Sequence, residues 1–282
     1  MNDIVYITGA RGSLGSRLTP LLKKAVAVDG DITALDFKKI LKPDAKLVHL
    51  AGKSNIAESK QIPDEYYRVN VDGLKRVADA CLTLNIKLLF PSTVHHYGCP
   101  GPLIDETCSN LKAYSPYGAT KIAGEQYLQE LGKKGLKFTI LRPAGTFGYS
   151  PAMKFNTSLN QMVYQAVKGE TLNIWKETWQ EKRPHLYIKD AVRAIIFFLK
   201  NDLFNNEIYN VVTGNFTVEE TVKAIKKFIP DLKISFVNAP PTNLKLDVSD
   251  KKICDLGFKP DGNLEKGVSE IITYLHSLSS LK

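Results

Sequence analysis

Short apolar runs alternate along the chain with longer segments of helical period. Apolar runs of strand length occur at residues 4–7, 25–28, 47–50, 86–90 and 138–141. Between two of them, segment 62–81 carries its apolar residues on one helical face, a period that predicts an amphipathic helix. Strands that alternate with helices predict a parallel sheet covered on both faces. The expected fold class is therefore α/β, with a doubly wound parallel sheet.

The alternation changes near residue 150. Beyond that point the pattern predicts strands at 172–175 and 207–212 and helices at 189–200, 217–228 and 262–278. We expect the elements within 186–214 to return to the main sheet. The chain then divides into a nucleotide-binding domain (residues 1–150 with 186–214) and a smaller C-terminal α/β domain that binds substrate (151–185 and 215–282).

Composition is ordinary for a globular protein of 282 residues, with 44% hydrophobic and 24% charged residues. No apolar run approaches the roughly 20 residues that a membrane span needs. The chain enters its first predicted strand at once, without a basic leader. We therefore expect a cytoplasmic protein that does not engage a membrane.

The net charge is +9, which favours anionic ligands. The lysines are spread in short pairs and form no basic tail, so small anionic ligands are favoured over nucleic acid. The four cysteines show no C-x-x-C spacing, so we expect reduced structural thiols and no metal site.

A glycine-rich loop directly follows the first predicted strand. It contains Gly9, Gly12 and Gly15, with Ser13 and Leu14 at the start of a helical run. Glycines at this spacing permit a tight turn and close approach of the backbone to a pyrophosphate, which the N–H groups at the helix start then hold. The loop predicts a dinucleotide site.

Charged residues near this loop bear on the cofactor. Asp29 ends the second predicted strand, where a carboxylate hydrogen-bonds the adenosine ribose and repels a 2′-phosphate. NAD is therefore favoured. Arg11 points the other way, because it can pair with a 2′-phosphate, and NADP stays open. Asp31 and Ile32 either lie beside the adenine or belong to a turn with Gly30.

Two further strand ends carry residues suited to the same pocket. Leu50-Ala51-Gly52 places small residues where a cofactor can lie over the sheet edge, whereas His49 in the same strand is expected to be a packed core histidine. Thr93 follows the strand at 86–90 and can reach a helix that begins near residue 116.

That helix carries a tyrosine and a lysine on one face. Ser115 and Pro116 form a helix start, and Tyr117 and Lys121 lie one turn apart. A nearby ammonium favours the phenolate, so we expect Lys121 to lower the pKa of Tyr117 and make it usable for proton transfer. A second such pair, Tyr164 and Lys168, has no hydroxyl at a preceding strand end and is interpreted as a surface or packing pair.

These residues resemble those of the extended short-chain dehydrogenases/reductases, in the branch of NAD-dependent epimerases, dehydratases and ketoreductases that act on nucleotide sugars. The resemblance covers essentially the whole chain. It is carried by Thr8-Gly9-x-x-Gly12-x-x-Gly15, Leu50-Ala51-Gly52, Asn70-Val71-x-Gly73, Tyr117-x-x-x-Lys121, Leu141-Arg142-Pro143, and Arg183 with Tyr187-Ile188-x-Asp190.

The resemblance implies a Rossmann-type fold and a role for each matching residue. Tyr117 would be the general acid/base, Lys121 would hold the nicotinamide ribose, and Thr93 would orient the substrate oxygen. Hydride would pass between a sugar carbon and nicotinamide C4. The cofactor set would include Asn70 and Pro143, and Arg183 would grip the substrate diphosphate. A homodimer is also implied, through the helices containing 70–82 and 117–132; the apolar stripe on them is equally compatible with core packing.

Departures from the family pattern narrow the reaction. Dehydratases of the family place Asp-Glu after the catalytic Thr, but here Val94-His95 follows Thr93, and valine cannot transfer protons. His95 is a candidate substrate contact; His95 and His96 are each open as an acid/base or as a packing residue. Gly145 stands where nucleotide-sugar enzymes usually carry Asn, which leaves a non-nucleotide substrate open.

The sequence therefore predicts an NAD-dependent nucleotide-sugar epimerase or 4-ketoreductase. The alternatives are an oxidoreductase or epimerase of a non-nucleotide substrate, and a non-catalytic dinucleotide-binding protein on the same fold. Only one residue separates Asp29 from Asp31, so the second and third strands of the cofactor domain are expected to be trimmed or merged.

Overall fold

The structure is a computed structural model that describes residues 3–98, 103–155, 157–238 and 246–279. Its strands within these ranges are β1 (Val5–Thr8), β2 (Ala25–Val28), β3 (Lys46–His49), β4 (Lys87–Pro91), β5 (Phe138–Pro143), β6 (Gly145–Phe147), β7 (Leu172–Trp175), β8 (Lys182–Tyr187), β9 (Glu207–Val211), β10 (Gly214–Thr217) and β11 (Ile234–Val237).

The helices of the same ranges surround these strands. The α-helices are α1 (Gly15–Leu18), α2 (Phe37–Ile40), α3 (Ile56–Gln61), α4 (Pro63–Tyr67), α5 (Gly73–Thr83), α6 (Pro116–Lys133), α7 (Ser158–Val167), α8 (Ile188–Lys200), α9 (Val218–Lys226), α10 (Lys251–Asp255) and α11 (Leu264–Ser279). Short 3-10 turns cover Thr19–Leu21 and Lys176–Thr178, and a π turn covers Arg68–Asp72.

The central sheet has the order β2-β1-β3-β4-β5-β9, and all of its pairs are parallel. Alternate residues of each strand face opposite layers. Val5 and Ile7 lie in the apolar cluster that contains α8, whereas Tyr6 lies in the cluster that contains α5 and α6. Helices thus cover both faces, and the predicted α/β fold is confirmed.

The cofactor side of the sheet is shortened, as expected from the close spacing of Asp29 and Asp31. β2 pairs directly with β1 and forms one edge. The chain then passes through a turn and the four-residue helix α2 to β3 on the other side of β1. Asp29 consequently follows the strand that neighbours the glycine loop.

A second apolar core lies under the C-terminal part of the chain. It joins α7, α9 and α11 with residues of β6, β7 and β8. The small sheets β10-β8-β6 and β11-β7 border it. The proposed division into two domains stays a prediction.

The predicted helix 62–81 is confirmed, and it contains a π turn. It begins at Pro63 in α4, passes through the π turn Arg68–Asp72 and continues as α5. Such π turns insert one extra residue and occur frequently at functional sites. Here the turn contains Asn70, whose side chain is buried.

The apolar stripe on α5 and α6 is largely internal. Leu74, Ala78, Cys81 and Leu131 all lie in the core between these helices and the sheet. Ala123 and Tyr127 of the same stripe are half-buried, and the homodimer stays a prediction from resemblance.

Two further features concern the expectations from composition. Among the described residues, no helix combines the length and apolar character needed to cross a bilayer. Cys81 and Cys254 are free thiols. Cys108, expected to be reduced, is disulfide-bonded, and Cys99 lies outside the described residues.

Candidate active site

The glycine loop fits tightly against the loop that follows β3. Gly9 has a φ of +68°, and a Cβ there would lie 2.6 Å from the Ala51 nitrogen. A Cβ on Gly15 would lie 2.3 Å from the Gly9 carbonyl oxygen. The Gly12 N–H donates to the Gly9 carbonyl at 3.0 Å, which closes the turn. The sequence therefore needs glycine at positions 9 and 15 for steric reasons alone.

Ser13 and Leu14 continue the turn into α1. The Ser13 carbonyl accepts a hydrogen bond from the Ser150 hydroxyl at 2.7 Å, and the Leu14 carbonyl accepts one from the Leu18 N–H at 2.9 Å. The first bond ties the glycine loop to the segment after β6. The second bond belongs to the first turn of α1.

The predicted ribose carboxylate lies beside the glycine loop. Asp29 is exposed and pairs with Arg11 at 2.9 Å. An exposed pair of this kind contributes only about 0–1 kcal/mol. Asp29, which favours NAD, and Arg11, which favours NADP, thus contact each other. Because the pair is weak, either side chain can leave it and bind a ligand at little cost in free energy.

Asp31 and Ile32 are held by the protein. Backbone and hydroxyl hydrogen bonds from Thr33, followed by one from Arg68, lower the pKa of Asp31. Ile32 is buried in the core, and a Cβ on Gly73 would lie 2.6 Å from its Cδ1. In this structure Asp31 therefore organises a turn, and the Ile32 side chain serves packing.

The loop after β3 is fixed by two side chains. The Thr8 hydroxyl accepts from the Ala51 N–H at 3.2 Å, and the Leu50 N–H donates to the Thr8 carbonyl at 3.1 Å. Asn70 accepts from the Lys53 N–H at 2.8 Å and donates to the Lys53 carbonyl at 2.9 Å. The position next to Gly52 is thus set by Asn70, which acts here as an organiser of the loop.

Asn70 also reaches the helix that carries the tyrosine. Its amide donates to the Thr120 hydroxyl on α6 at 3.0 Å. The π turn, the loop after β3 and α6 are therefore joined through one side chain. Sequence reasoning assigned Asn70 to cofactor binding, and in the structure its amide is occupied by these protein contacts.

Thr93 lies at the carboxyl end of the central strand β4. It is 3% exposed, and its hydroxyl accepts from the His95 N–H at 3.2 Å. The Val94 N–H donates to the Pro143 carbonyl at 3.2 Å, so Pro143 at the end of β5 holds the same loop. Val94 is fully buried in the core.

Helix α6 brings Tyr117 and Lys121 to this loop. The Ser115 hydroxyl caps the helix by accepting from the Gly118 N–H at 3.1 Å. The Lys121 Nζ donates to the Pro91 carbonyl at 2.8 Å and lies 4.5 Å from the centre of the Phe90 ring. Tyr117 and Lys121 are both half-buried. The three predicted catalytic residues thus meet at one end of β4.

The expected lowering of the Tyr117 pKa is wrong in direction. Burial raises the pKa of Tyr117 to about 12, and the nearby Thr93 hydroxyl, which can hydrogen bond to the phenolate, opposes this only in part. The Lys121 Nζ is engaged by Pro91 and Phe90 and lies 6.0 Å from the centre of the Tyr117 ring. Loss of hydration therefore dominates over the attraction between ammonium and phenolate.

Lys121 itself is affected by burial. Desolvation lowers the pKa of Lys121 to about 8, and the negative charge of Glu125, one turn further along α6, opposes this shift. At pH 7 the residue is mostly charged. The site therefore combines a neutral phenol with an ammonium that is close to its titration range.

The histidines near the site differ in environment. His49 is buried and shares a 2.8 Å hydrogen bond with the Thr8 hydroxyl; burial first, then repulsion from Lys121, lowers the pKa of His49 to about 3. Its interpretation as a core histidine agrees with this position. His96 is also fully buried, and burial lowers its pKa to about 4.

His95 lies at the surface of the cleft. Its ring reaches Gly145, where a Cβ would lie 3.6 Å from the His95 Nε2. Crowding by protein atoms lowers the pKa of His95 to about 4, with repulsion from His185 and Arg183 in addition. Because Gly145 has no side chain, a space remains beside it, and the His95 ring lies at the edge of this space.

Arg183 and His185 lie on β8, and both act electrostatically on His95. Arg183 is paired with Glu181 at 2.8 Å. His185, which sequence reasoning missed, contacts the Arg183 carbonyl through Nδ1 at 2.8 Å and lies between the rings of Phe147 and Phe216. Only its position two residues after Arg183 in a strand could have placed it on the same face.

Comparison with known proteins identifies the group of proteins to which this site belongs. The family model of the NAD dependent epimerase/dehydratase family matches residues 5–212. The chain belongs to this family. The resemblance stated from the motifs is thereby confirmed, the protein is an enzyme, and NAD is the cofactor on which the family depends.

Relatives within and around the family differ in activity. A UDP-glucose 4-epimerase of Lactobacillus helveticus is 27% identical over 84% of this chain and 79% of its own length. Mitochondrial L-threonine 3-dehydrogenase of Bos taurus is 24% identical over 96% of this chain and 82% of its own. Family membership alone therefore does not name the substrate.

The fold has close structural counterparts. A UDP-N-acetylglucosamine 4-epimerase from Methanobrevibacter ruminantium M1, solved in complex with UDP-N-acetylmuramic acid, superposes with a TM-score of 0.87. The two chains are 24% identical, and the match covers 98% of this chain and 99% of the other. At this identity the likeness establishes the shared fold.

The residues present fit NAD. The glycine loop leaves a cradle that a Cβ would fill, as the contacts at Gly9 and Gly15 show. The loop stands beside the carboxylate of Asp29 at the carboxyl ends of parallel strands, where nucleotides bind in open α/β sheets. The described residues contain no group of three or more His, Cys, Asp or Glu suited to a metal ion.

Proposed function

We propose that the protein is an NAD-dependent epimerase that inverts C4 of a UDP-sugar. The observation that carries the proposal is the meeting of Thr93, Tyr117 and Lys121 at the end of β4, beside the glycine cradle. UDP-sugar 4-epimerases among the relatives and structural counterparts support the choice of reaction.

The cofactor would be held by the loop 9–15, with Asp29 at the adenosine ribose and the residues 50–52 beside it. When bound, NAD supplies a reversible acceptor for hydride. Arg11 stays an alternative contact for a 2′-phosphate, because its pair with Asp29 is exposed and weak. We therefore expect NAD to bind more tightly than NADP.

The proton is handled by Tyr117. Oxidation of the sugar hydroxyl would need Tyr117 as the phenolate, a minor form at pH 7 because burial raises its pKa to about 12. The phenolate would accept the hydroxyl proton, and the phenol so formed would return it to the oxygen when the ketone is reduced from the other face. Thr93 would hold that oxygen by a hydrogen bond, and the Lys121 ammonium would stabilise the phenolate.

Elimination of water is disfavoured by the neighbours of Thr93. Val94 is buried in the core and carries no proton, and the pKa of His95, about 4, makes it a poor acid at pH 7. Tyr117 is then the proton-transfer group of the site. That arrangement suffices for epimerisation or for reduction of a 4-ketone, but not for a dehydratase.

The substrate would lie between the two walls of the cleft. Arg183 on β8 would contact the diphosphate, and His95 would face the sugar. The elements of residues 151–185 and 215–282 would form the substrate domain in this arrangement. Reduction of a 4-ketosugar would use the same residues. The two reactions differ in the cofactor, which an epimerase regenerates in each turnover and a reductase consumes.

Substitution of Tyr117 tests the proposal. Purified protein is incubated with NAD and, separately, UDP-glucose, UDP-galactose, UDP-N-acetylglucosamine and UDP-glucuronic acid, and epimers are separated by chromatography. Tyr117→Phe should lower kcat by about 10²–10⁴-fold and leave NAD affinity nearly unchanged. Tyr164→Phe is the matched control, because the Lys168 Nζ lies 4.5 Å from the centre of the Tyr164 ring. This variant should keep full activity.

The outcome separates the hypotheses. Full activity in Tyr117→Phe would refute the mechanism. Net oxidation of NADH by a 4-ketosugar, without epimerisation, would identify a ketoreductase instead.

A second candidate is the oxidation of a small alcohol that carries no nucleotide. It is favoured by the L-threonine 3-dehydrogenase relative, which matches 96% of this chain, and by the absent side chain at Gly145. The test is reduction of NAD by L-threonine and related amino alcohols. Turnover of these compounds with none of the UDP-sugars would replace the epimerase assignment.

A further inference from the structure

A buried hydrogen-bond chain connects the elements that carry Thr93 and Tyr117. Its members are Glu125 on α6, Arg142 on β5, Tyr97 in the loop after β4, and Asn210 on β9. The side chains of all four are buried. A charged pair inside a protein is costly unless its partners are in place, so the contacts of this chain indicate what it holds.

Arg142 is the centre of the chain. Its guanidinium donates to both carboxylate oxygens of Glu125, at 3.0 and 2.6 Å. A third bond, at 2.8 Å, goes to the Tyr97 hydroxyl, and the guanidinium carbon lies 4.8 Å from the centre of the Tyr97 ring. Bidentate pairs of this kind fix geometry as well as contributing energy. Arg142 therefore sets the position of Tyr97 relative to α6.

The Tyr97 hydroxyl continues the chain to β9. It donates to the side-chain oxygen of Asn210 at 2.8 Å. The Asn210 amide donates to the Ser249 carbonyl at 3.0 Å, and the Asn210 N–H donates to the Glu106 carboxylate at 2.6 Å. Asn210 is thus fixed by its own partners. Tyr97 cannot shift in either direction without breaking a buried hydrogen bond.

Tyr97 and Thr93 belong to one tight loop. The Tyr97 N–H donates to the Val94 carbonyl at 3.2 Å, and the His95 N–H donates to the Thr93 hydroxyl at 3.2 Å. The Val94 N–H in turn donates to the Pro143 carbonyl at 3.2 Å. A displacement of Tyr97 would therefore reach Thr93 through bonds within the loop.

The other end of the chain lies on the helix of the tyrosine. Tyr117, Lys121 and Glu125 follow one another at intervals of four residues on α6, so they share one face of the helix. The grip of Arg142 on Glu125 consequently holds the same face that presents Tyr117. The chain joins this face to the loop of Thr93.

We propose that Tyr97 is a positioning residue, which together with Arg142 and Glu125 fixes the Thr93 hydroxyl relative to the Tyr117 phenol so that both reach one substrate oxygen. This inference rests on the proposed function, which assigns Thr93 and Tyr117 to that oxygen. Tyr97 acts through the loop and needs no contact with substrate. Because the chain is buried, water does not compete for its hydrogen bonds.

Removal of the Tyr97 hydroxyl tests the proposal. Tyr97→Phe keeps the ring and deletes the bonds to Arg142 and Asn210. The kcat for the UDP-sugar should fall about 10–100-fold, because a small misplacement of a catalytic group has effects of this size. The Kd for NAD, measured by calorimetric titration, should stay unchanged. Tyr209→Phe is the matched control: its hydroxyl is also hydrogen-bonded, to Asn205 at 2.7 Å, and kcat should not change.

A double-mutant cycle separates positioning from general destabilisation. If Tyr97 acts through Thr93, Tyr97→Phe should change kcat by less than about twofold in protein that already carries Thr93→Val. Loss of kcat by the same factor in both backgrounds would overturn the proposal.

A second measurement does not depend on turnover. Hydrogen exchange of the His95 amide, followed by NMR, reports on its bond to the Thr93 hydroxyl. Tyr97→Phe should accelerate this exchange about tenfold or more, whereas the Gly12 amide, which is bonded to the Gly9 carbonyl, should keep its rate. Acceleration at both amides would indicate global opening and contradict the proposal.

Further outcomes are also decisive. If Tyr97→Phe does not fold, Arg142→Lys takes its place, because lysine keeps a charge beside Glu125 but lacks the planar fork that also reaches Tyr97. A lower unfolding temperature with unchanged kcat and unchanged His95 exchange would show a purely structural hydrogen bond and refute the proposal. Failure of the proposed function is recognised separately, by activity retained in Tyr117→Phe, and leaves the exchange measurement fully interpretable.

Discussion

Two separate constraints act on Gly9: its backbone is left-handed, and the loop after β3 lies close to it. Its φ is +68°, and the nearest atoms to an added Cβ belong to the backbone of Leu50 and Ala51, at 2.7 and 2.6 Å. Backbone atoms cannot turn aside as the end of a side chain can. Substitution must therefore move the loop after β3, which forms one side of the cofactor cleft.

The chain offers a control that separates the two constraints at Gly9. Gly169 has a φ of +71°, and nothing lies within 4 Å of an added Cβ. Gly169→Ala should cost about 1 kcal/mol of unfolding free energy from backbone strain and leave NAD affinity unchanged. Gly9→Ala should cost more and weaken NAD binding at least about tenfold, as measured by calorimetric titration. Equal NAD affinity in the two variants would contradict this account.

Tyr117 shows which residue properties the sequence can predict. The spacing of Tyr117 and Lys121, with Thr93 upstream, selected the residues that the fold brings together. The direction of the Tyr117 pKa shift was wrong, because it depends on how much water the surrounding chain removes. That quantity is set by the packing of the folded chain around Tyr117, which no local pattern specifies.

Helix α6 depends on a close approach at Gly124. A Cβ there would lie 2.8 Å from Leu74 Cδ2 on α5 and 3.2 Å from Phe90 Cζ on β4. Alanine is favoured over glycine in a helix by about 1 kcal/mol. Overpacking in a core costs about 1–3 kcal/mol, so the clash outweighs the gain.

We expect Gly124→Ala to lower the free energy of unfolding by about 1 kcal/mol in denaturant titrations. It should also raise the KM for NAD, because α6 would shift relative to Pro91 and carry Lys121 with it. The matched variant is Gly118→Ala in the same helix, where the nearest atom, Ser115 Oγ, is 3.6 Å from the added Cβ. Stabilisation by both variants alike would show that α6 has room at Gly124.

Element predictions succeeded where the signal was local. Strands β1 to β5 lie within one or two residues of the apolar runs that predicted them, and β7 coincides with the predicted 172–175. The helix predicted over 62–81 is confirmed as a continuous helical segment over 63–83. The apolar period did not predict the π turn in it, from which Asn70 bonds to Lys53 and Thr120. Strands β6, β10 and β11 are short, and each is defined by pairing with a strand distant in sequence.

At the scale of the molecule, shortening of the sheet edge is linked to the cofactor site. β2 takes the place beside β1, and Asp29 follows it directly. The carboxylate expected at the ribose is therefore retained although part of the usual cofactor domain is merged. The close spacing of Asp29 and Asp31 in the sequence was sufficient to predict the merger, but not its topology.

Buried histidines occur in several parts of the molecule and make its free energy of unfolding depend on pH. Burial is the main cause that lowers the pKa of His49, His96 and His185. In the unfolded chain their pKa is about 6.5. Below that pH the unfolded chain binds protons that the folded protein does not, so the free energy of unfolding falls as the pH decreases toward about 4.

The fully buried residues His49 and His96 account for close to two of these protons. The free energy of unfolding should therefore change by roughly 3 kcal/mol per pH unit between about pH 6 and pH 4.5. Urea titrations at closely spaced pH values measure this slope. His96→Leu should reduce it by about one proton. The variant should keep its stability at pH 8, since neither ring nitrogen of His96 has a hydrogen-bond partner among the described residues. His276→Gln, at an exposed position, should leave the slope unchanged, and a slope unaltered by His96→Leu would mean that the ring is protonated in the folded protein.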